Sequence, residues 1–327
     1  MNDYNEIETR QGITRIEVVT FLLWTLIVVS VVTPAIVSAR ELARKNASVV
    51  HLRLIGEGLI AHAETFGFLP GNGGNSAEVV TTPDIRTINP NDSPYKWGYG
   101  DPRRAGRLQP GSWAFAILPY IGHEEDFQRR NQAAVVKIYN IPARRPSVAE
   151  VALKVDPIYD GWSSMVDGVN PWGKTDYASN DRIISNGFSR LQKLDDLAMQ
   201  DGMSVSILIG EKAMDSRAAG KGGWYWDEPF ILGGNGGTGR KGTKLFVDGP
   251  IHEDAADNWG SPYAAGVSFL FADGSVHTLS HAVDDNLMRT LLSPDRKKEL
   301  SADGLQALRD VNSAVRDVNE SDQPSNE

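Results

Sequence analysis

The chain has 327 residues, 41% apolar and 23% charged, enough to bury one sizeable core and too ordinary in composition for a fibrous or broadly disordered protein. Asp and Glu number 42 against 33 Lys and Arg, so no overall positive field draws it to nucleic acid or anionic lipid, and no nucleic-acid partner is expected. It has no cysteine, which excludes disulfides, thiolate metal sites and cysteine nucleophiles.

Residues 1–12, "MNDYNEIETRQG", form a short polar leader. Between Arg15 and Arg40 the only charged side chain is Glu17, and Val18 to Val37 is almost wholly Val, Leu, Ile, Phe and Trp. At about 1.5 Å of rise per residue, some 20 such residues match a bilayer core of roughly 30 Å, so residues 16–38 read as a membrane span. The run exceeds the apolar core of a secretory signal peptide and lacks a small-residue cleavage site after it. A core helix would present a polar face, whereas Thr20, Thr25, Ser30 and Thr33 are scattered around this one.

The helical pattern continues past the span. Ile36, Ala39, Ala43, Ala47, Val50, Leu54 and Leu59 recur at three-to-four spacing among charges, predicting one helix over 13–66, on the order of 75 Å long, whose second half is amphipathic. Pro34 should bend it, Gly56 and Gly58 should soften it, and Gly67 with Pro70 should end it.

A globular head is expected over 67–295. Residues 71–112 are rich in Gly, Asn, Pro and Asp and read as turns. "SWAFAILPYIGHEEDFQRRN" reads as a short helix or turn that buries Trp113, Phe115, Ile117 and Leu118, and "VKIYNIPARRP" as a strand ended by proline. "SVSILIGE", "TKLFVDG" and "GVSFLFADGSVHTLS" read as strands, the last a hairpin about Ala272 to Ser275. The economical fold is α+β, with the amphipathic half of the long helix packed on an antiparallel sheet and extended loops around it. Val283, Leu287, Leu291 and Leu292 mark one helical face. Leu305, Leu308, Val311, Val315 and Val318 mark another, so 296–327 is expected to hold a C-terminal helix followed by a disordered acidic tail.

Gly12, Glu17 five places later, an apolar helix interrupted by Pro34 and an amphipathic continuation resemble a type IV prepilin or a type II secretion pseudopilin. More specifically, "PAIVSARELARKN", "FGFLPGNGG", "SWAFAILPYIGHEEDF", "DYASNDRI", "MQDGMSVSILIGEK" and "GVSFLFADGSVHTLS" resemble, in this order, a pilin-like family abundant in planctomycete bacteria, domain of unknown function 1559. The most specific positions are Asp201, Gly202, Ser204, Gly210 and Glu211, then Phe271, Ala272, Asp273 and Gly274. Ser48 and Tyr263 stand where that family often carries Cys and His.

The resemblance implies cleavage after Gly12 by a prepilin peptidase, methylation of the new amino terminus at Ile13, and pairing of the Glu17 carboxylate with the amino group of a neighbouring subunit. A carboxylate near the bilayer is costly unless paired, which gives Glu17 its physical reason. The implied partners are like pilin subunits, and the implied location is a single-pass inner-membrane anchor with the head periplasmic or on the cell surface. Arg10 and Arg15 before the span against Arg40, Arg44 and Lys45 after it would favour a cytoplasmic head. The resemblance is followed here, because those later cations lie on a helix that can pack against its own domain.

No catalytic residue is assigned. "HEEDF" at His123 and "HEDAAD" at His252 lack the second His of a zincin helix, and His277 and His281 sit four apart in a strand pattern that does not bring their rings to one face. "GGNGGTGRKGTK" has Arg240 where a phosphate loop needs lysine, with Lys241 out of register, and reads as a flexible surface loop. No Ser stands in a Gly-x-Ser-x-Gly nucleophile elbow. No metal site or cofactor is assigned by spacing. Calcium is the one to weigh, because some pseudopilins bind it beside their terminal strands and Asp248, Asp254, Asp257, Asp273 and Asp284 supply oxygen donors in the corresponding region. Asp273 reads more simply as an acceptor of backbone N–H groups in its turn. Trp97, Trp162, Trp172, Trp224, Trp226 and Trp259 lie in turn-rich segments and read as caps on a loop-rich core. The alternative is a membrane-anchored binding protein that never polymerises and uses such aromatics to hold a polysaccharide or protein.

Overall fold

The computed structural model describes residues 15–74, 80–81, 87–88, 98–159, 168–186, 191–200, 202–251 and 256–293. It divides into two compact units, one ending at Arg44 and one beginning at Lys45, so the second half of the long helix belongs with the head. The expected leader and C-terminal helix lie outside the described residues.

Helix α1 runs from Arg15 to Phe66 with Pro34 inside it. Gly67 ends it in the left-handed conformation at φ 81°, where its N–H returns to the Ala63 carbonyl at 2.7 Å. In the head, the buried side of α1 is Ser48, Leu52, Ile55, Gly56, Gly58, Leu59, His62 and Ala63. This corrects the predicted stripe. Within the same unit Val50 is 49% exposed and Leu54 37% exposed, and of the predicted residues only Leu59 lies on the buried side. Close approach decides it. A Cβ at Gly56 would come within 2.9 Å of Leu270, and one at Gly58 within 2.7 Å of Ile121, so these glycines are contact points where bulkier residues would hold the helix away.

Beyond α1, the chain forms α2 (Trp113–Ala116) and α3 (Glu124–Arg129). Ser112 caps α2 by accepting the Phe115 N–H and donating to the Phe230 carbonyl. Trp113, Phe115, Ile117 and Leu118 are fully buried, as the sequence predicts. The strand expected in "VKIYNIPARRP" is absent, and Lys137–Tyr139 form a 3-10 turn. Its backbone bonds go elsewhere: the Tyr139 carbonyl accepts the Asp176 N–H at 2.7 Å, and the Ile141 N–H donates to the Asp176 carboxylate at 2.7 Å.

The central sheet has five strands: β1 (Tyr177–Asn180), β2 (Ile207–Glu211), β3 (Gly239–Arg240), β4 (Val267–Phe271) and β5 (Val276–Leu279). Their order is β5-β4-β2-β1-β3, antiparallel except for the parallel pair β1 and β3. The predicted hairpin is the β4–β5 turn, with Gly274 at φ 83°. A bulge opposite Leu270 lets both Leu208 and Ile209 enter the cluster that holds Leu52, Ile55 and Leu59 of α1. The other face carries Ala178, Phe269, Phe271 and Trp259 against Met288, Leu291 and Leu292. Those last three belong to α5 (Asp285–Leu292), which follows α4 (Leu194–Gln200) and is capped by Asp284. Asn180 joins sheet to helix by donating to the carbonyls of Ile207 (2.9 Å) and Leu292 (2.8 Å).

A Cβ at Gly210 would lie 2.5 Å from the Phe269 ring and 2.8 Å from Trp259. We therefore expect Gly210→Ala to cost about 1–3 kcal/mol by overpacking, read from the denaturant midpoint of the full chain in detergent micelles. An unchanged midpoint would show that the sheet yields there.

Candidate functional site

The first unit presents an apolar helical surface. Its apolar side chains are exposed from Ile16 to Val37, Trp24 at 65%, and the helix is long and apolar enough to span a membrane. The four hydroxyls of this stretch ask nothing of their surroundings. Thr20, Thr25 and Thr33 donate to the carbonyls of Ile16, Phe21 and Val29 at 2.7–2.8 Å, and Ser30 to that of Ile27 at 2.7 Å. Internally satisfied polar groups are what a lipid-facing helix requires. Pro34 has no N–H, which leaves the Ser30 carbonyl without its usual donor. Glu17 belongs to the first turns of α1, while Gly12 and Ile13 lie outside the described residues.

The motif residues of the head come together in the sheet. The two most specific sequence stretches are its neighbouring strands β2 and β4, tied further by the Ala272 N–H to the Ser206 carbonyl at 2.9 Å. Gly202, at φ 87°, opens the turn that carries exposed Ser204. Asp201 lies outside the described residues. Phe271 and Ala272 are buried, and Asp273 closes the hairpin by accepting the Ser275 N–H at 2.9 Å and its hydroxyl at 2.6 Å. Glu211 is fully buried and accepts the Ser268 N–H at 2.9 Å. Burial pushes its carboxyl up to about 7, against the opposing pull of that N–H, Ser261 and Arg144. Ser48 and Tyr263 meet: their buried hydroxyls are 3.3 Å apart.

Around Glu211 lies a buried network of charges that sequence reasoning missed. Arg145 grips Asp227 with both terminal nitrogens (2.6 and 3.0 Å) and reaches Asp176 at 2.7 Å. Lys212 adds a 2.7 Å pair to Asp227, and Lys174 pairs with Asp227 at 3.2 Å and with Glu150 at 3.4 Å. Arg144 holds Asp248 at 2.7 Å and donates to the carbonyls of Lys212 and Gly260. Burial opposes the Asp227 charge, but Arg145, Lys174 and Lys212 overcome it and hold that carboxyl well below the usual range. Burial brings the Lys212 ammonium down to about 8, although Asp227 supports its charge. The only sequence signal was charge set among prolines and aromatics, in "PARRP", "GKTDY" and "WDEPF".

Other predicted donors stay apart. Among the described residues no three His, Asp or Glu side chains converge on a metal position. Asp248 serves Arg144, Asp257 accepts the Lys241 N–H, Asp284 caps α5, and Asp254 lies outside the described residues. His123 contacts Asp126 at 2.7 Å, His281 approaches the Tyr263 carbonyl at 3.1 Å, and His277 lies edge-on to Phe271. The glycine-rich segment is not the surface loop expected. Asn235, Thr238 and Arg240 are buried, because Asn235 accepts the Gly237 and Thr238 N–H groups and Arg240 donates to the Trp226 carbonyl at 2.6 Å. Trp172, Trp224 and Trp259 are core residues, Trp226 is half-buried, and Trp97 and Trp162 lie outside the described residues.

Glu211 gives a pH test. Its carboxyl titrates near 7 when folded against an ordinary 4.5, so the folded state holds the extra proton and the stability this residue contributes is lost as pH rises through that window. Glu211→Gln keeps the acceptor for Ser268 and cannot ionise. Relative to the parent chain, the variant should gain stability on the order of 1–3 kcal/mol between pH 4.5 and 8, measured by denaturant titration. A difference that stays flat with pH would refute the buried, proton-holding Glu211.

No curated protein and no solved structure matches the chain. The family model described as "Protein of unknown function (DUF1559)" matches residues 37–286, from the end of the apolar span through the β4–β5 hairpin and into α5. The chain therefore belongs to the DUF1559 family.

Proposed function

We propose that this protein is a pilin-like subunit, anchored in the inner membrane by residues 16–38 and acting by assembly with like subunits rather than by catalysis. The observation that carries the reading is α1 itself: one continuous helix with an apolar, internally satisfied first half and a second half buried in an α+β head. Exposed apolar helices supply contacts between neighbouring subunits, and repeating one such contact between unlike surfaces generates a helical filament. In this reading a prepilin peptidase cuts after Gly12, Ile13 becomes the methylated amino terminus, and the Glu17 carboxylate pairs with that amino group on the next subunit. The pair neutralises two charges that would each be costly at the bilayer. Pro34 bends the span, and the head stands on the periplasmic or outer side. The machine served is of the type IV pilus or type II secretion kind.

Mass spectrometry of the intact chain and its N-terminal peptide, taken from native membranes, should show a protein beginning at N-methylated Ile13. A chain still beginning at Met1 would overturn the processing step. Glu17→Ala should abolish recovery of the protein in sheared filament fractions while the head melts as before; undiminished recovery would rule out the pairing.

A further inference from the structure

Apart from the central sheet, Glu150–Val151 pairs antiparallel with Pro171–Trp172, Val151 standing opposite Pro171. Burial alternates along this segment. Glu150, Ala152 and Asp156 are buried, whereas Val151, Leu153 and Val155 are 39%, 43% and 50% exposed. Residues two apart on an extended segment share a face, as do residues opposite one another on an antiparallel pair. Continued by two residues, the register sets Leu153 opposite Val169, which is 73% exposed, and Gly168 accordingly lies beside Lys154. Four aliphatic side chains thus form one outward apolar face on the head. Single exposed apolar residues need no explanation, but a contiguous face of them marks a contact surface.

The rim of this face is cationic. Lys154 lies on the segment itself, and Lys221 precedes Gly222, which accepts the Leu153 N–H at 2.9 Å and packs against the Leu153 side chain. Both lysines are exposed, and among the described residues neither has an ion-pair partner. An occupant must therefore offer an apolar stripe with acidic flanks. A second copy bringing the same face would set lysine against lysine.

The chain's own C-terminal segment has that chemistry. Leu305, Leu308, Val311, Val315 and Val318 recur at helical spacing, and from Asp303 to Glu327 there are six Asp and Glu against two Arg. The segment can also reach. Helix α5 ends at Leu292, whose carbonyl is held by Asn180, and Pro171 stands nine residues before Asn180, so the two are at most about 30 Å apart. The twelve residues from Ser293 to Leu305 span up to about 40 Å when extended. We propose that residues 305–318 fold back as an amphipathic helix onto the Val151, Leu153 and Val155 face of the same chain, with Lys154 and Lys221 meeting the helix's acidic flanks.

The test places a photoreactive benzophenone amino acid at Leu153 of the full chain in detergent micelles. Illumination should give a product of monomer mass in which the peptide holding position 153 is joined to a peptide within residues 302–318. Leu308→Asp combined with Val311→Asp should cut that product by about tenfold or more, as loss of central apolar anchors does, while the head melts as before. Lys154→Glu combined with Lys221→Glu, both at exposed positions, should cut it severalfold at low salt. A product of dimer mass overturns the proposal in favour of a second copy. Detergent adducts alone, or no product, overturn it too, as does a tail cross-link that neither pair of substitutions diminishes.

Discussion

The head depends on the grip of Arg145 on Asp227 and Asp176. Outside its five-stranded sheet, the described residues of the head form turns, short helices and strand pairs of two or three residues, which supply few backbone bonds of their own. Arg145 lies on the turn before Pro146, Asp176 just before β1, Asp227 in the aromatic loop and Lys212 just after β2, so one cluster ties four separated segments. Ion pairs this deep lose about as much in desolvation as they gain in attraction, so their worth is in specificity: any rearrangement strands a charge in the core. Arg144 extends the same constraint to two further segments, through Asp248 and the Gly260 carbonyl, and binds the Lys212 carbonyl as well. Buried Glu211, its carboxyl pushed up to about 7 by burial, belongs to this setting.

Helix α1 meets two different requirements, one in each unit. Between Glu17 and Arg40 it carries no charged side chain, and its four bonded hydroxyls fold back onto carbonyls of the preceding turn. From Ser48 onward one side is chosen for closeness, with Gly56 and Gly58 letting Leu270, Ile117 and Ile121 approach. The same element thus carries a stretch long and apolar enough to span a membrane and supplies part of the head's core.

Aromatic residues divide by role. Trp113, Trp172, Trp224 and Trp259 fill the interior, three of them with the indole N–H given to a backbone carbonyl: Trp113 to Thr238, Trp224 to Leu153 and Trp259 to Gly242. Tyr159, Tyr225 and Trp226 are placed by buried charged groups instead, Asp156 and Arg240. A buried polar anchor beneath a half-buried ring fixes its orientation.

The sequence by itself determined the membrane-length helix, its glycine stop, the α2 segment, strands β2 and β4, the hairpin at Asp273 and Gly274, helix α5 and the family. Each is a local signal: run length, period, or a turn residue with a required φ. The buried side of α1 was misread because it includes Ser48, Gly56 and His62, which apolar patterning does not count. The strand expected before Pro146 became a turn because its backbone groups found Asp176. The partners of Arg144, Arg145, Lys174 and Lys212 were likewise decided only by the tertiary structure, as were the burial of Arg240 and the placing of Tyr159 beside Tyr225. Charge pairing and close approach depend on residues tens of positions apart, and no local period encodes which of many Asp and Glu side chains will stand opposite a given cation once water is excluded.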